Sequence, residues 1–154
     1  MAPGLDDLYR DIILDHYRSP RNRGRLDSPD IATQGSNPLC GDEIEVSLII
    51  EGGRVSDVRF EGRGCSISQA SASMMSEGVK GKTIEEVREL VSSFKEMMSG
   101  SYDPAEDELG DLEALQGVRK YPVRIKCALL CWNTLLEGID IFEHAKAKPA
   151  KSSV

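Results

Sequence analysis

The sequence predicts a single domain that joins a β-hairpin to several helices, and three observations predict it. Ile44, Val46, Leu48 and Ile50 alternate with Glu45, Ser47, Ile49 and Glu51 before Gly52-Gly53 and a second apolar stretch, the period-two pattern of a half-buried hairpin. Elsewhere apolar residues recur at helical spacing beside capping residues and prolines. A chain of 154 residues, 40% hydrophobic and 29% charged, has the size and composition of one globular domain. Residues 1–145 are assigned to that domain and 146–154 to a flexible C-terminal tail.

The first helix is marked by Leu5, Leu8, Ile12 and His16, and Ser19-Pro20 closes it because proline disfavours a helical residue before it. The following loop, Arg21 to Pro38, is rich in Arg, Gly, Ser, Pro and Asn, and periodicity leaves a short strand around Ile31 to Thr33 undecided. In the hairpin, Val55, Val58 and Phe60 mark the return strand, with an offset between Val55 and Val58 that suits a bulge. Ser66 and Gln69 have capping-box spacing, which places Cys65 at the start of a helix running through Met74, Met75 and Val79. Thr83 and Glu86 repeat that spacing ahead of the stripe Ile84, Val87, Val91, Phe94 and Met98, which Gly100 ends. The acidic segment Ser101 to Asp111 reads as a loop before a short helix around Leu112 to Leu115. From Pro122 a long helix follows with Ile125, Leu129, Trp132, Leu136 and Ile139 on one stripe.

A net charge of −7 argues against nucleic acid as a partner, since binding to phosphate backbones relies on clustered Lys and Arg. The sequence has no apolar run of the ~20 residues that span a bilayer, and its first residues lack the basic and apolar regions of a signal peptide. A cytoplasmic protein without a membrane segment is expected. In that reducing compartment the four cysteines, Cys40, Cys65, Cys127 and Cys131, point to metal binding or thiol chemistry rather than to disulfides.

Cys40-Gly41-Asp42 immediately precedes the first hairpin strand and Cys65 immediately follows the second, so the two lie at the same open end, where neighbouring strands are ~4.8 Å apart. Cys127 would add a third thiolate from the long helix and Asp42 a carboxylate, a set that suits zinc and argues against magnesium or calcium. Spacing alone leaves scattered cysteines equally open to a role as buried structural thiols, and the helical pattern does not decide for Cys127.

Three ordered motifs, Asn37-Pro38-Leu39-Cys40-Gly41-Asp42, Gly62-Arg63-Gly64-Cys65-Ser66-Ile67-Ser68-Gln69-Ala70-Ser71-Ala72-Ser73 and Arg119-Lys120-Tyr121-Pro122-Val123-Arg124-Ile125-Lys126-Cys127, resemble the SufU branch of the IscU-like family. The resemblance runs from the Tyr9 region to about Ile139. It implies an α+β fold in which a small antiparallel sheet is covered by helices, with zinc held by Cys40, Asp42, Cys65 and Cys127. Scaffold-type members of the family have a histidine before the third cysteine, where this chain has Lys126. Their connection between the second and third cysteines is also shorter, and the acidic stretch between Phe94 and Gln116 resembles the SufU insertion.

The resemblance further implies a zinc-dependent sulfurtransferase. Cys40 would accept persulfide sulfur from a SufS-type cysteine desulfurase, which it activates, and the sulfur would pass to a downstream iron-sulfur assembly scaffold. An iron-sulfur cluster scaffold and a structural zinc module are the alternatives. Cys131 departs from the SufU pattern. One helical turn after Cys127, it is read as a small buried hydrophobe, with an alternative ligand or resolving thiol as the competing reading. Arg124 is a candidate to stabilise an anionic sulfur, against an ordinary surface ion pair. His16 and His144 are assigned core or surface roles, and Met74, Met75, Met97 and Met98 core or contact roles.

Overall fold

The alternating residues of the hairpin supply the inner face of an antiparallel sheet, order β1-β2-β3, with β1 at Ile31–Asn37, β2 at Asp42–Glu51 and β3 at Arg54–Arg63. The computed structural model describes residues 4–102, 104 and 109–147. Around the sheet stand α1 (Gly4–Arg18), α2 (Ser66–Val79), α3 (Ile84–Ser99), a 3-10 helix (Gly110–Val118) and α4 (Pro122–Ala147). This is the expected α+β architecture. Part of the acidic loop, residues 103 and 105–108, and the tail from 148 onward lie outside the described residues.

Val46, Leu48, Val58 and Phe60 are essentially removed from water on the inner face. Ile49 pairs with Asp57 but Ile50 with Val55, which leaves Ser56 as the extra residue of a bulge, where the Val55–Val58 offset indicates one. The stretch left open at Ile31–Thr33 is a full strand to Asn37, paired with β2 from Ile31↔Leu48 to Asn37↔Asp42. Gly35 and the polar residues around it weaken the local strand signal.

α2 is buried along nearly its whole length through small side chains, among them Ala70, Ser71, Ala72, Ser73 and Ser76. Each buried hydroxyl needs a partner. Ser71 donates to the Ala128 carbonyl at 2.7 Å and accepts from Trp132 Nε1 at 3.0 Å, which ties α2 to α4. The helix starts differently from expectation: Cys65 is the N-cap, no side chain caps it, and the Ser66–Gln69 capping box does not form. Asp42, 23 residues earlier, supplies the acceptor for the Cys65 N–H instead, so a tertiary contact replaces the local one. The Thr83–Glu86 capping box forms in full, with Thr83 Oγ1 accepting from Glu86 N and Glu86 Oε1 from Thr83 N.

His16 of α1 is fully buried, a core position. Its Nε2 lies 2.8 Å from Asp111 Oδ2 and its Nδ1 2.8 Å from Ser73 Oγ. A carboxylate only accepts, so Nε2 carries the hydrogen in that bond. Ser73 Oγ accepts the Arg21 backbone N–H at 2.9 Å. The junction fixes α1 to α2 and to the 3-10 helix.

α4 lies along β1 and stacks Trp132 on Phe94 of α3, ring centroids 4.6 Å apart. Its approach to β1 depends on Gly138. A Cβ there would run into Thr33 Oγ1 and come within 2.6 Å of Ile31 Cγ2. Gly138→Val should therefore lose about 1–3 kcal/mol, the usual range for overpacking, and lower the melting temperature by several degrees. An unchanged midpoint in a thermal melt would contradict so close an approach of α4 to the sheet.

Candidate metal centre

The centre is assembled where the hairpin ends, α2 begins and the second turn of α4 passes. Between β1 and β2 the chain turns through residues 38–41, and the Asn37 carbonyl accepts both Cys40 N–H at 3.1 Å and Gly41 N–H at 2.9 Å. Asn37 Oδ1 accepts Leu39 N–H at 3.2 Å. These bonds hold Cys40, half-buried, just outside the first residue of β2.

That first residue is Asp42, only 1% exposed. Its Oδ1 accepts the Cys65 N–H at 2.9 Å, and its Oδ2 lies 4.0 Å from Cys65 Sγ. Gly64 makes room for this, since a Cβ there would collide with Asp42 Oδ1 and Ser68 Oγ. Cys127, sixth residue of α4, is fully buried, and its sulfur is 3.0 Å from Cys40 Sγ. The ligand atoms of Cys40, Asp42 and Cys127 all lie within 4.8 Å of one another. Cys65 stands at the edge of this set, on the Asp42 side.

Burial, above all, pushes the Cys127 thiol pKa well up, and hydrogen bonding with Cys40, Asp42 and Cys65 adds to it. Two sulfurs at 3.0 Å cannot both be thiolates beside a carboxylate without a compensating cation. Thiolate sulfur and carboxylate oxygen together form a donor set that zinc accepts, whereas three soft donors do not suit magnesium or calcium. The residues present fit a zinc ion. Arg124, one turn before Cys127, has its pKa raised mainly by the charge of Cys65 and less by Cys127, so its guanidinium adds positive charge at the rim.

Cys131 is not part of the convergence. It is 1% exposed within the core, its sulfur lies 3.6 Å from Ser71 Oγ, and burial pushes its thiol up to about 12. Lys126 is exposed. A second group, His16, Glu77 and Asp111, also brings ligand-type atoms together, but both ring nitrogens of His16 are engaged in hydrogen bonds. His144 is exposed. Met74, Met75, Met97 and Met98 are all core residues.

The model of the NifU-like N terminal domain matches residues 8–128. The chain is 52% identical over 136 residues to the zinc-dependent sulfurtransferase SufU of Bacillus subtilis, covering 88% of this chain and 91% of that protein. It is 44% identical over 142 residues to the iron-sulfur cluster assembly scaffold protein IscU of Streptococcus pyogenes serotype M1, covering 92% and 89%. Among solved structures, the N-terminal part of a nitrogen-fixing NifU-like protein from Brucella abortus superposes with a TM-score of 0.82 at 28% identity, over 91% of this chain and 97% of that one. With the motif cysteines gathered at one end of the sheet and both sequence and fold matched over most of its length, the chain belongs to the NifU-like N-terminal domain family.

Proposed function

We propose that this protein is a zinc-dependent sulfurtransferase of the cytoplasm, in which Cys40 takes persulfide sulfur from a SufS-type cysteine desulfurase for iron-sulfur cluster assembly. The observation that carries this reading is the position of Cys40. Its sulfur reaches the buried pair Asp42 and Cys127, yet its backbone belongs to a short turn, next to Leu39, which is 71% exposed. Cys65 is the N-cap of α2, its N–H held by Asp42, and Cys127 lies within α4, so neither has comparable freedom. The 52% identity to a protein named a zinc-dependent sulfurtransferase supports the same reading.

Cys40, Asp42, Cys65 and Cys127 would hold the zinc, which when bound keeps the thiols deprotonated near neutral pH. The turn then carries Cys40 to the partner. The Cys40 thiolate attacks the outer sulfur of the desulfurase persulfide, a new S–S bond forms at Cys40 Sγ, and the old one breaks to release the desulfurase thiolate. No net oxidation occurs, as in thiol–disulfide exchange. Arg124 beside Cys65 and Cys127 offsets the negative charge that stays behind. The segments flanking the cluster expose Leu39, Tyr121 and Val123, apolar surface suited to docking a protein partner. Lys126, exposed, offers no ordinary zinc ligand in the place where scaffold-type relatives have histidine.

Peptide mapping by mass spectrometry after incubation with desulfurase and cysteine tests the assignment. The added sulfur should sit on Cys40, and Cys40→Ala should abolish acceptance while keeping zinc at weakened affinity, since three ligands and a water suffice. Cys65→Ala and Cys127→Ala should lose metal and stability together. Sulfur found on Cys65 or Cys127 with Cys40→Ala still active, or stoichiometric iron and sulfide in the freshly isolated protein, would overturn the reading, the latter in favour of a scaffold.

Cys131→Ala should leave zinc content and sulfur acceptance unchanged. Its small core cavity should cost about 1 kcal/mol, read as a modest fall in the melting temperature. Loss of zinc from this variant would move the fourth ligand from Asp42 to Cys131.

A further inference from the structure

Asn37 directs both of its oxygens to the turn that carries Cys40. The backbone carbonyl accepts from Cys40 and Gly41 and the side-chain Oδ1 from Leu39. Its remaining polar group, Nδ2, is shielded from water and has no partner among the described residues. A buried donor without an acceptor is unfavourable, and a bound ion with its ligands is one of the ordinary ways in which such a donor is satisfied.

The neighbours of Nδ2 indicate what it awaits. Asn37 pairs with Asp42 across β1 and β2, and both residues are on the buried face of the sheet. Directly opposed side chains of an antiparallel pair are ~5 Å apart at Cβ. The sulfur of Cys40 lies within 4.8 Å of an Asp42 carboxylate oxygen. Three thiolates and a carboxylate around one divalent cation leave two negative charges in excess, so the loaded cluster offers acceptors that the thiols do not. Asp42 Oδ1 is already engaged by the Cys65 N–H. With Asp42 Oδ2 turned toward Cys65 Sγ and taken as the metal's oxygen ligand, the acceptor that metal loading would add on Asn37's own turn is the Cys40 sulfur.

We propose that Asn37 is a positioning residue whose Nδ2 donates a hydrogen bond to the metal-bound sulfur of Cys40. Such a bond draws electron density from one sulfur out of three. It weakens the hold of the metal on Cys40 relative to Cys65 and Cys127, and so selects which ligand leaves. The proposal rests on the reading of Cys40 as a ligand and sulfur acceptor.

The test uses the full chain loaded with cobalt(II) for spectroscopy and with zinc for reactivity. Asn37→Ala removes the donor and the Leu39 cap, whereas Asn37→Asp removes the donor and keeps an oxygen for Leu39 N–H. Both variants should move the sulfur-to-cobalt charge-transfer band to lower energy. Both should slow alkylation of zinc-loaded Cys40 at saturating iodoacetamide, where release of the sulfur from zinc sets the rate, by about three- to tenfold, the factor that one hydrogen bond controls. A shift in Asn37→Asp alone would assign the effect to added charge, and a shift in Asn37→Ala alone to the turn; either overturns the proposal. So does a lower melting temperature with band and alkylation unchanged, the mark of a purely structural residue. A wild-type band too weak for three thiolates would overturn the ligand set itself, and the role of Asn37 with it.

Discussion

A carboxylate almost wholly withdrawn from water has to be met by donors or by a cation, and Asp42 is such a carboxylate. It opens β2, faces Asn37 of β1, and accepts the first N–H of the segment entering α2. One oxygen thereby ties the open end of the hairpin to a helix start that has no side-chain cap of its own. The other remains beside the sulfurs. The position of Cys65 and the bare backbone at Gly64 follow from keeping that group satisfied.

Around Asp42 the elements divide between rigid support and one movable part. α2 is packed through small side chains with their hydroxyls paired, and α4 is set against β1 at Gly138 and against α3 through the Phe94–Trp132 stack. Cys65 and Cys127 inherit that rigidity. Cys40 does not, because the backbone of its turn is held, among the described residues, only by the N–H groups of Leu39, Cys40 and Gly41 donating to the oxygens of Asn37. On the proposed reading, in which Cys40 leaves the metal while Cys65 and Cys127 stay, this asymmetry serves the site. The His16 junction with Ser73 and Asp111 adds support from the far side of α2.

What could be read from the sequence was local. The β2–β3 hairpin, its bulge, the Thr83–Glu86 box and the start of α4 at Pro122 all reside in spacings of a few residues, and each stands in the structure. What escaped depends on partners distant in sequence. β1 is a strand because β2 lies beside it, the N-terminus of α2 is satisfied from Asp42 rather than Ser66, and His16 meets partners 57 and 95 residues away. Cys127 and Cys131 share a helix face, so periodicity could not separate them. Packing does: one sulfur meets Cys40 and the other meets Ser71. Asn37 lies within a recognised motif, but only the register and the buried Nδ2 without a partner among the described residues point to the role proposed for it.

X-ray absorption at the zinc edge of the purified protein tests the ligand set most directly. Cys40, Cys65 and Cys127 with Asp42 predict three sulfurs at about 2.3 Å and one oxygen at about 2.0–2.2 Å. Four sulfurs would bring Cys131 into the site and contradict the account. Two sulfurs with the rest light atoms would remove one of the three motif cysteines from the metal and contradict it equally.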